Sequence, residues 1–275
     1  MRPLVSVIIP TYNSARTLEL SLISLQNQTY KNIEIIIVDN FSTDTTREIA
    51  KKYTENVFEK WPERTAQKNH GIEKAKGEYI LMLDGDMSID PELIEDCVYK
   101  IGQTEKWAGV CIPVVDTGSS FWVQVIAYER TFYKWSVMEA ARFLRRDSVI
   151  EVWGYKDIIF YEEFIVPQEI DRLGYNVKIH TKYNIYHDYD DFTFIGNLKK
   201  KFYYGKSLDL YKSRMQDMNM DYWEKQTGII GRYMIFFKNP QFYRYPLFAF
   251  GILILKTLEF GAWALGYIHS KLSNK

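Results

Sequence analysis

Hydrophobic positions fall in short, dense runs over the first 115 residues and in longer, aromatic-rich stretches after them. Val5 to Ile9 is a continuous, largely β-branched run closed by Pro10, the signature of a fully buried strand. Ile33 to Val38, Tyr79 to Leu83 and Ala108 to Val114 repeat it. Between them, Leu18, Leu22 and Leu25 share one helical face over residues 16–27. Ser42 or Thr43 is placed to cap a helix carrying Ile49 and Ala50. Residues 64–75 read as a third helix, and Pro91 opens a fourth that runs to Ile101. Strands alternating with helices predict an α/β layer with a mostly parallel sheet. Ligands of such sheets bind at the carboxyl ends of the strands. Asn13, Asp39 and Asp84 each follow a strand end and are expected to converge on one crevice.

The rhythm changes after about residue 115. Residues 121–141 predict an aromatic helix, Arg142 to Arg146 a short strand, and "EVWGYKD" a loop. Glu162 to Leu173 predicts a helix closed by Gly174. Val177 to Ile179 and Asn184 to His187 predict short strands, and residues 193–217 a long basic helix. From about 229 the chain mixes Phe, Tyr and Trp with spaced Lys and Arg. Tyr245 to Ile268 is long enough to span a bilayer. Lys256 and Glu259 interrupt it, three apart on one helical face, and a charge at a bilayer centre is costly. The expected arrangement is one or two helices in the membrane interface, aromatic side down, with basic groups toward anionic headgroups. A spanning helix and a buried core or dimerisation helix are the alternatives.

Charge sharpens this division. The 275 residues carry no net charge, yet from Lys199 onward 13 Lys/Arg face 5 Asp/Glu, against 22 and 30 before it. An acidic front and a basic, aromatic tail point to a surface partner for the tail, and its hydrophobicity points to membrane rather than nucleic acid. Cys97 and Cys111 lie in apolar settings without metal or disulfide spacing. "MRPLVSVIIP" enters a strand without a signal-peptide pattern, which predicts a cytoplasmic catalytic part on the cytoplasmic face of a membrane.

The chemistry concentrates in "GEYILMLDGDMSIDP". A buried strand there ends in Asp84 and Asp86, separated by one glycine that allows a tight backbone path. Hard oxygen ligands on a loop suit Mg²⁺ or Mn²⁺, ions that bridge substrate phosphates. Asp-Gly-Asp is also a common surface turn; the preceding strand and the helix start at Asp90-Pro91 favour the first reading.

Several segments together resemble glycosyltransferase family 2, which has the GT-A fold. "VSVIIPTYN" is similar to its first strand and nucleotide loop, and "IEIIIVDNFSTDTT" to its V-D-D-G-S-T-D-x-T stretch. "ERTAQKNHGIEKAKGEYILMLDGD" resembles the run ending in its D-x-D motif. "GYKDIIFYEEFIVPQEIDRLGY" resembles the acceptor side, and the strand ending in His187 followed by "LKKKFYYGKS" the metal-histidine and basic-helix segment. The resemblance covers roughly residues 4–207 in order.

It implies inverting transfer of a sugar from a UDP- or GDP-linked donor. Asp86 would bind Mn²⁺ or Mg²⁺ directly, Asp84 the metal or the ribose, and His187 the metal or the diphosphate. Asp39 and the loop Pro10-Thr11-Tyr12-Asn13 would meet the nucleoside, and Arg64 and Lys68 the nucleotide or diphosphate. Glu163 is the positional match for the general base, with Glu162 the second choice. Lys200, Tyr204 and Lys206 would close over the diphosphate, with Gly205 a helix end or hinge. The chain departs from the family where Glu replaces the usual Asp base and where Glu169 stands in place of an Arg six residues on.

The expected architecture is a GT-A, Rossmann-like, mostly parallel sheet flanked by helices, with a C-terminal helical, membrane-associating appendage. Residues 1–115 would bind the nucleotide sugar, 116–217 the acceptor, and 218–275 the membrane. The acceptor is expected to be a lipid-linked saccharide, a polyprenyl phosphate or a glycan, with no nucleic acid involved. The alternatives are a nucleotidyltransferase on a related scaffold and a non-catalytic nucleotide-sugar or membrane-binding module.

Overall fold

Parallel pairing of three apolar strands sets the centre of the molecule. In the computed structural model, which describes residues 2–61, 63–134, 139–156, 162–208 and 228–273, β1 (Val5–Thr11) lies between β2 (Ile33–Asp39) and β4 (Tyr79–Met82), parallel to both. β3 (Val57–Glu59) extends the sheet beyond β2. On the other side, β8 (Ala141–Arg145) runs antiparallel to β4, followed by β6 (Gly109–Cys111) and β9 (Ile179–His180). The order of this seven-stranded sheet is β3-β2-β1-β4-β8-β6-β9. A three-stranded sheet orders β5 (Met87–Ile89), β10 (Ile185–Asp188) and β7 (Val114–Thr117) as β5-β10-β7.

Alternation along β1 builds two cores. Val5, Val7 and Ile9 pack with α1 (Leu18–Gln26) and α4 (Leu93–Ile101). Ile8 faces the opposite layer, with Ile72 of α3 (Arg64–Lys74), Val149 of α6 (Arg146–Glu151), and Val166 and Ile170 of α7 (Glu162–Arg172). The small helix α2 (Thr46–Lys51) joins the first layer through Ala50. This is the α/β arrangement of a mostly parallel sheet flanked by helices.

The chain divides into two compact units: 1–115 with 139–157 and 161–187, and 116–138 with 158–160 and 188–275. Residues 139–187, grouped by sequence with 116–138, thus fall largely in the first unit. The second unit contains α5 (Phe121–Thr131), α8 (Phe194–Lys206), α9 (Ile229–Phe237), a short 3-10 turn over Pro240–Tyr243, and the 28-residue α10 (Pro246–Ser273).

Within that unit α8 and α10 cross at two glycines. A Cβ on Gly205 would fall 2.0 Å from the Trp263 carbonyl oxygen, and one on Gly266 2.0 Å from that of Phe202. Gly205 therefore lies in the last turn of α8, at the helix end expected from the sequence, and is also its contact with α10. Gly266→Ala forces these backbones apart, and overpacking costs about 1–3 kcal/mol. A lower melting temperature of the purified variant would show it, and an unchanged one would contradict the crossing.

Lys256 and Glu259 are turned inward. The Lys256 Nζ lies 2.6 Å from Glu259 Oε2 and 2.9 Å from Glu129 Oε1 of α5. Asn197 of α8 donates to the other Glu259 oxygen at 2.6 Å. Burial pushes the Glu259 carboxyl up, and Lys256, then Lys201, more than reverse it, bringing it down to about 2. Paired inside protein, these charges sit away from the exposed face of α10.

Candidate active site

Strand ends of the first unit bring most of the sequence-predicted residues to one edge. Just past β4, Asp84 and Asp86 flank Gly85 in a turn closed by the Met87 N–H donating to Asp84 O at 3.1 Å. Arg64 Nη1 lies 4.0 Å from Asp84 Oδ1, and Arg142 Nη1 3.6 Å from Asp84 Oδ2. Burial opposes ionisation of Asp84, but Arg64 and Arg142, then Lys68 and His187, outweigh it and hold the carboxyl below the usual range.

Asp86 faces β10. Its Oδ2 lies 3.2 Å from His187 Nε2, because β5 and β10 pair antiparallel with His187 opposite Met87. Its Oδ1 is enclosed without a hydrogen-bond partner. An enclosed, unmatched carboxylate oxygen beside an imidazole nitrogen is a donor set that fits Mg²⁺ or Mn²⁺. Among the described residues no three His, Cys, Asp or Glu side chains cluster to hold an ion alone. That fits an ion whose shell is completed by substrate phosphates and water.

The acid pair opens α7. Glu162 Oε1 accepts from Lys68 Nζ at 3.1 Å and lies 3.7 Å from Arg64 Nη1. Lys68 is only 2% exposed, and its ammonium lies 4.9 Å from the centre of the Tyr155 ring. Burial raises the Glu162 carboxyl, and Lys68 and Arg64 more than offset this, so its pKa is lowered. Glu163 moves the opposite way: burial, then the neighbouring Glu162 charge, raise it against the pull of Arg142 and Lys68. Two adjacent carboxylates are thus driven apart in acidity, one held ionised and the other made more basic.

Lys68, expected to face the nucleotide or diphosphate, is hydrogen-bonded to Glu162. Lys68→Met would leave Glu162 buried without its ammonium partner, and losing one member of a buried pair costs about 3–5 kcal/mol. Urea unfolding checks this. Because the Glu162 pKa is depressed, its contribution is present above the unfolded-state value and lost as pH falls through the folded one. The deficit of Lys68→Met should therefore shrink toward acid.

At the ends of β1 and β2 the expected nucleoside loop divides. Pro10 and Thr11 are buried in β1, whereas Tyr12 and Asn13 are exposed. Asp39 is fully buried; Thr11 Oγ1 donates to its Oδ2 at 2.8 Å, and Ser42 donates its N–H to Oδ1 at 2.7 Å and its hydroxyl to Oδ2 at 2.6 Å. Because Asp39 is fully buried, direct contact with a nucleoside requires movement of the groups that cover it. Asn13, in a left-handed conformation (φ +47°), accepts from the Thr43 N–H at 2.9 Å. The N-cap position of α2 is Thr45 rather than Ser42 or Thr43, and Ser42 is engaged with Asp39.

Lys200, Tyr204 and Lys206 lie on α8 in the second unit, with the Lys200 Nζ 5.8 Å from the Tyr204 ring centre and the Lys206 Nζ 5.0 Å from that of Phe202. The predicted basic helix ends at Lys206; its portion beyond residue 208 lies outside the described residues.

Sequence reading missed Arg142, Tyr155 and Gln67. Gln67 Nε2 donates to Thr11 O at 2.9 Å and Val38 O at 2.6 Å, tying the ends of β1 and β2. For Arg142 the available signal was a cation inside an apolar strand, "ARFLR".

The family model for Glycosyl transferase family 2 matches residues 6–156, more than half of the chain. The chain belongs to glycosyltransferase family 2. Glycosyltransferase GlyA of Streptococcus pneumoniae serotype 4 is 26% identical over 237 residues, 80% of this chain and 32% of that protein. The cholesterol galactosyltransferase of Borreliella burgdorferi is 39% identical over 97 residues, 33% of this chain and 27% of that protein. The chain thus matches less than a third of the length of these two relatives. Among solved structures, the mannosyltransferase PcManGT from Pyrobaculum calidifontis, in complex with GDP-Man and Mn²⁺, superposes with a TM-score of 0.65 at 15% identity, covering 98% of this chain and 88% of that one. S. aureus TarS 1–349 in complex with UDP-GlcNAc gives 0.54 at 15% identity, covering 98% and 92%. These likenesses establish the GT-A fold of the family 2 chain.

Proposed function

We propose that this chain is a metal-dependent, inverting glycosyltransferase that moves a sugar from a nucleotide diphosphate donor to an acceptor hydroxyl or phosphate. The observation that carries the reading is the Asp84–Gly85–Asp86 turn, flanked by Arg64 and Arg142, in the same unit as the Glu162–Glu163 pair. Family membership favours glycosyl over nucleotidyl transfer, and the intact acids favour an enzyme over a binding module. The donors in PcManGT and TarS support a GDP- or UDP-linked sugar.

Asp86 and His187 would hold Mn²⁺ or Mg²⁺, with Asp84 beside them. Such an ion supplies positive charge against the diphosphate leaving group. Arg64 and Arg142 add fixed cations at the same edge, worth most where water is excluded. Glu163 takes the proton of the acceptor hydroxyl as that oxygen bonds to the anomeric carbon and the carbon–phosphate-oxygen bond breaks on the opposite face. Glu162, held ionised by Lys68 and Arg64, raises the basicity of Glu163. Tyr12 and Asn13 would contact the nucleoside, and Asp39 would shape their loop. The basic groups of α8 would meet an anionic surface. Calorimetric titration with UDP- and GDP-sugars, with and without Mn²⁺, tests the reading; it fails if no donor binds in either condition.

An acceptor in or on a membrane is supported by α10, which is long and apolar enough to cross one by length and composition. Its exposed residues include Leu247, Phe250, Leu258, Leu265, Ile268 and Leu272. Among described residues from 228 onward, Lys238, Arg244 and Lys271 are exposed cations, while the acid Glu259 is buried. An apolar face bracketed by cations fits an interfacial helix on anionic lipid. Leu258→Glu with Leu265→Glu removes two side chains worth about 1.5–3 kcal/mol each when buried. Binding to phosphatidylglycerol vesicles should fall about 10²–10⁴-fold in a flotation assay, and unchanged binding would refute the membrane face.

A further inference from the structure

Trp153 combines two features that ordinary folding disfavours in one residue. It is 86% exposed, the most exposed large hydrophobic residue described. Its backbone is left-handed at φ +64°, followed by Gly154 at φ +69°. The pair terminates α6: the Trp153 N–H donates to Ile150 O at 2.9 Å and the Gly154 N–H to Val149 O at 2.9 Å. Left-handed helix ends favour glycine or asparagine, and a bulky side chain there is strained. Neither packing nor backbone preference accounts for a tryptophan, and such strain persists where function requires it.

The loop is held firmly. Asn69 Oδ1 accepts from the Tyr155 N–H at 2.8 Å, and Asn69 Nδ2 donates to Tyr155 O at 2.8 Å. A Cβ on Gly154 would meet Asn69 Oδ1 at 2.5 Å, so the turn lies directly against α3. Tyr155 is buried, with the Lys68 ammonium on its ring, and that ammonium reaches Glu162. Two residues span at most about 7 Å of chain. Trp153 is therefore a solvent-facing indole on an anchored backbone, two residues from Tyr155, whose ring holds the ammonium that Glu162 binds.

We infer that Trp153 is a stacking platform for a sugar ring of the acceptor. This rests on the proposed transferase reading, in which the acid pair marks the acceptor side. The apolar face of a pyranose presents weakly positive C–H groups, which complement the negative face of an indole. An anchored backbone also lowers the ordering cost of binding. The acceptor class is accordingly a saccharide rather than a bare phosphate or simple alcohol.

Trp153→Asn keeps a residue that tolerates the left-handed backbone and removes the indole, and Trp153→Tyr keeps an aromatic face. Calorimetric titration with octyl β-glucoside, octyl β-lactoside and dodecyl β-maltoside below micelle-forming concentrations, with Mn²⁺ and either UDP or GDP present, reads binding without turnover. The wild type should bind at least one glycoside, Trp153→Asn at least tenfold more weakly with an equal or higher melting temperature, and Trp153→Tyr in between. Equal affinity of wild type and Trp153→Asn, or no wild-type binding to any glycoside, overturns the inference. So does a loss confined to sugar-free phosphatidylglycerol vesicles, which would make Trp153 a lipid contact. Failure of the transferase reading registers separately, as absence of UDP and GDP binding by the wild type.

Discussion

Asp86→Asn is expected to abolish metal-stimulated turnover while leaving the fold intact. Its carboxylate is the one whose Oδ1 is enclosed without a partner and whose Oδ2 faces His187 at 3.2 Å. Asparagine keeps the shape and removes the charge, so the loss falls on the cation and the diphosphate rather than on packing. Altering a residue that merely supports a metal ligand already lowers affinity or activity about 10–100-fold. Loss of a direct ligand should exceed about 10²-fold. Nucleoside diphosphate release across a Mn²⁺ titration checks it. A variant that recovers wild-type rate at modest extra Mn²⁺ would show that Asp86 is not the principal ligand. Asp84→Asn should behave differently, because that carboxylate is held by Arg64 and Arg142; it should loosen both cations and weaken donor binding as well as turnover.

Glu163→Gln is expected to lower kcat by about 10²–10⁴-fold, the usual contribution of a general base, while donor affinity stays close to wild type. The pH profile follows from the direction of its shift. Burial and Glu162 raise the Glu163 pKa, so the acidic limb of kcat/KM should lie above the ordinary glutamate value of about 4.3. Glu163→Gln should lose that limb. Stability should move the other way. A carboxyl whose folded pKa is raised contributes stability below its unfolded value and loses it as pH rises through the folded one. At neutral pH its ionisation burdens the fold, so Glu163→Gln should be as stable as wild type or more so in urea. A slower enzyme with an unharmed fold separates a reacting group from a structural one. Unchanged turnover would pass the role to another group, Glu162 first.

Much of this was legible because buried parallel strands read as unbroken apolar runs. β4 is one, β1 and β2 are broken only by Ser6 and Glu34, and the residues at or just past their ends carry the polar chemistry. Among the short strands, β9 and β10 were legible but three others were not. β3, β5 and β7 have three or four residues each, too few for a period to emerge. The apolar stretch 108–114 reads as one strand but divides at Pro113, which has no N–H for a ladder: β6 ends at Cys111 and β7 begins at Val114.

The site was legible where one residue's chemistry sufficed and obscure where topology decided. Asp84, Asp86 and Glu163 stand out by type and position. Arg142 does not, because nothing in "ARFLR" reveals that β8 runs antiparallel beside β4, with Phe143 opposite Leu81, delivering the preceding residue to the carboxyl end of β4. Lys68 was visible as a cation, but its capture by Glu162 spans 94 positions of chain. The inward pairing of Lys256 was hidden similarly: its i,i+3 partner Glu259 was evident, and Glu129 on α5 was not.

The most direct test of the account is release of nucleoside diphosphate from UDP- and GDP-sugars by the purified chain, with Mn²⁺ and a mixed pool of lipid-linked and soluble saccharide acceptors. At least one donor should be turned over, acceptor should accelerate release, and chelation of the metal should stop it. Absence of release with every donor, or release indifferent to both acceptor and chelator, would contradict the proposed function.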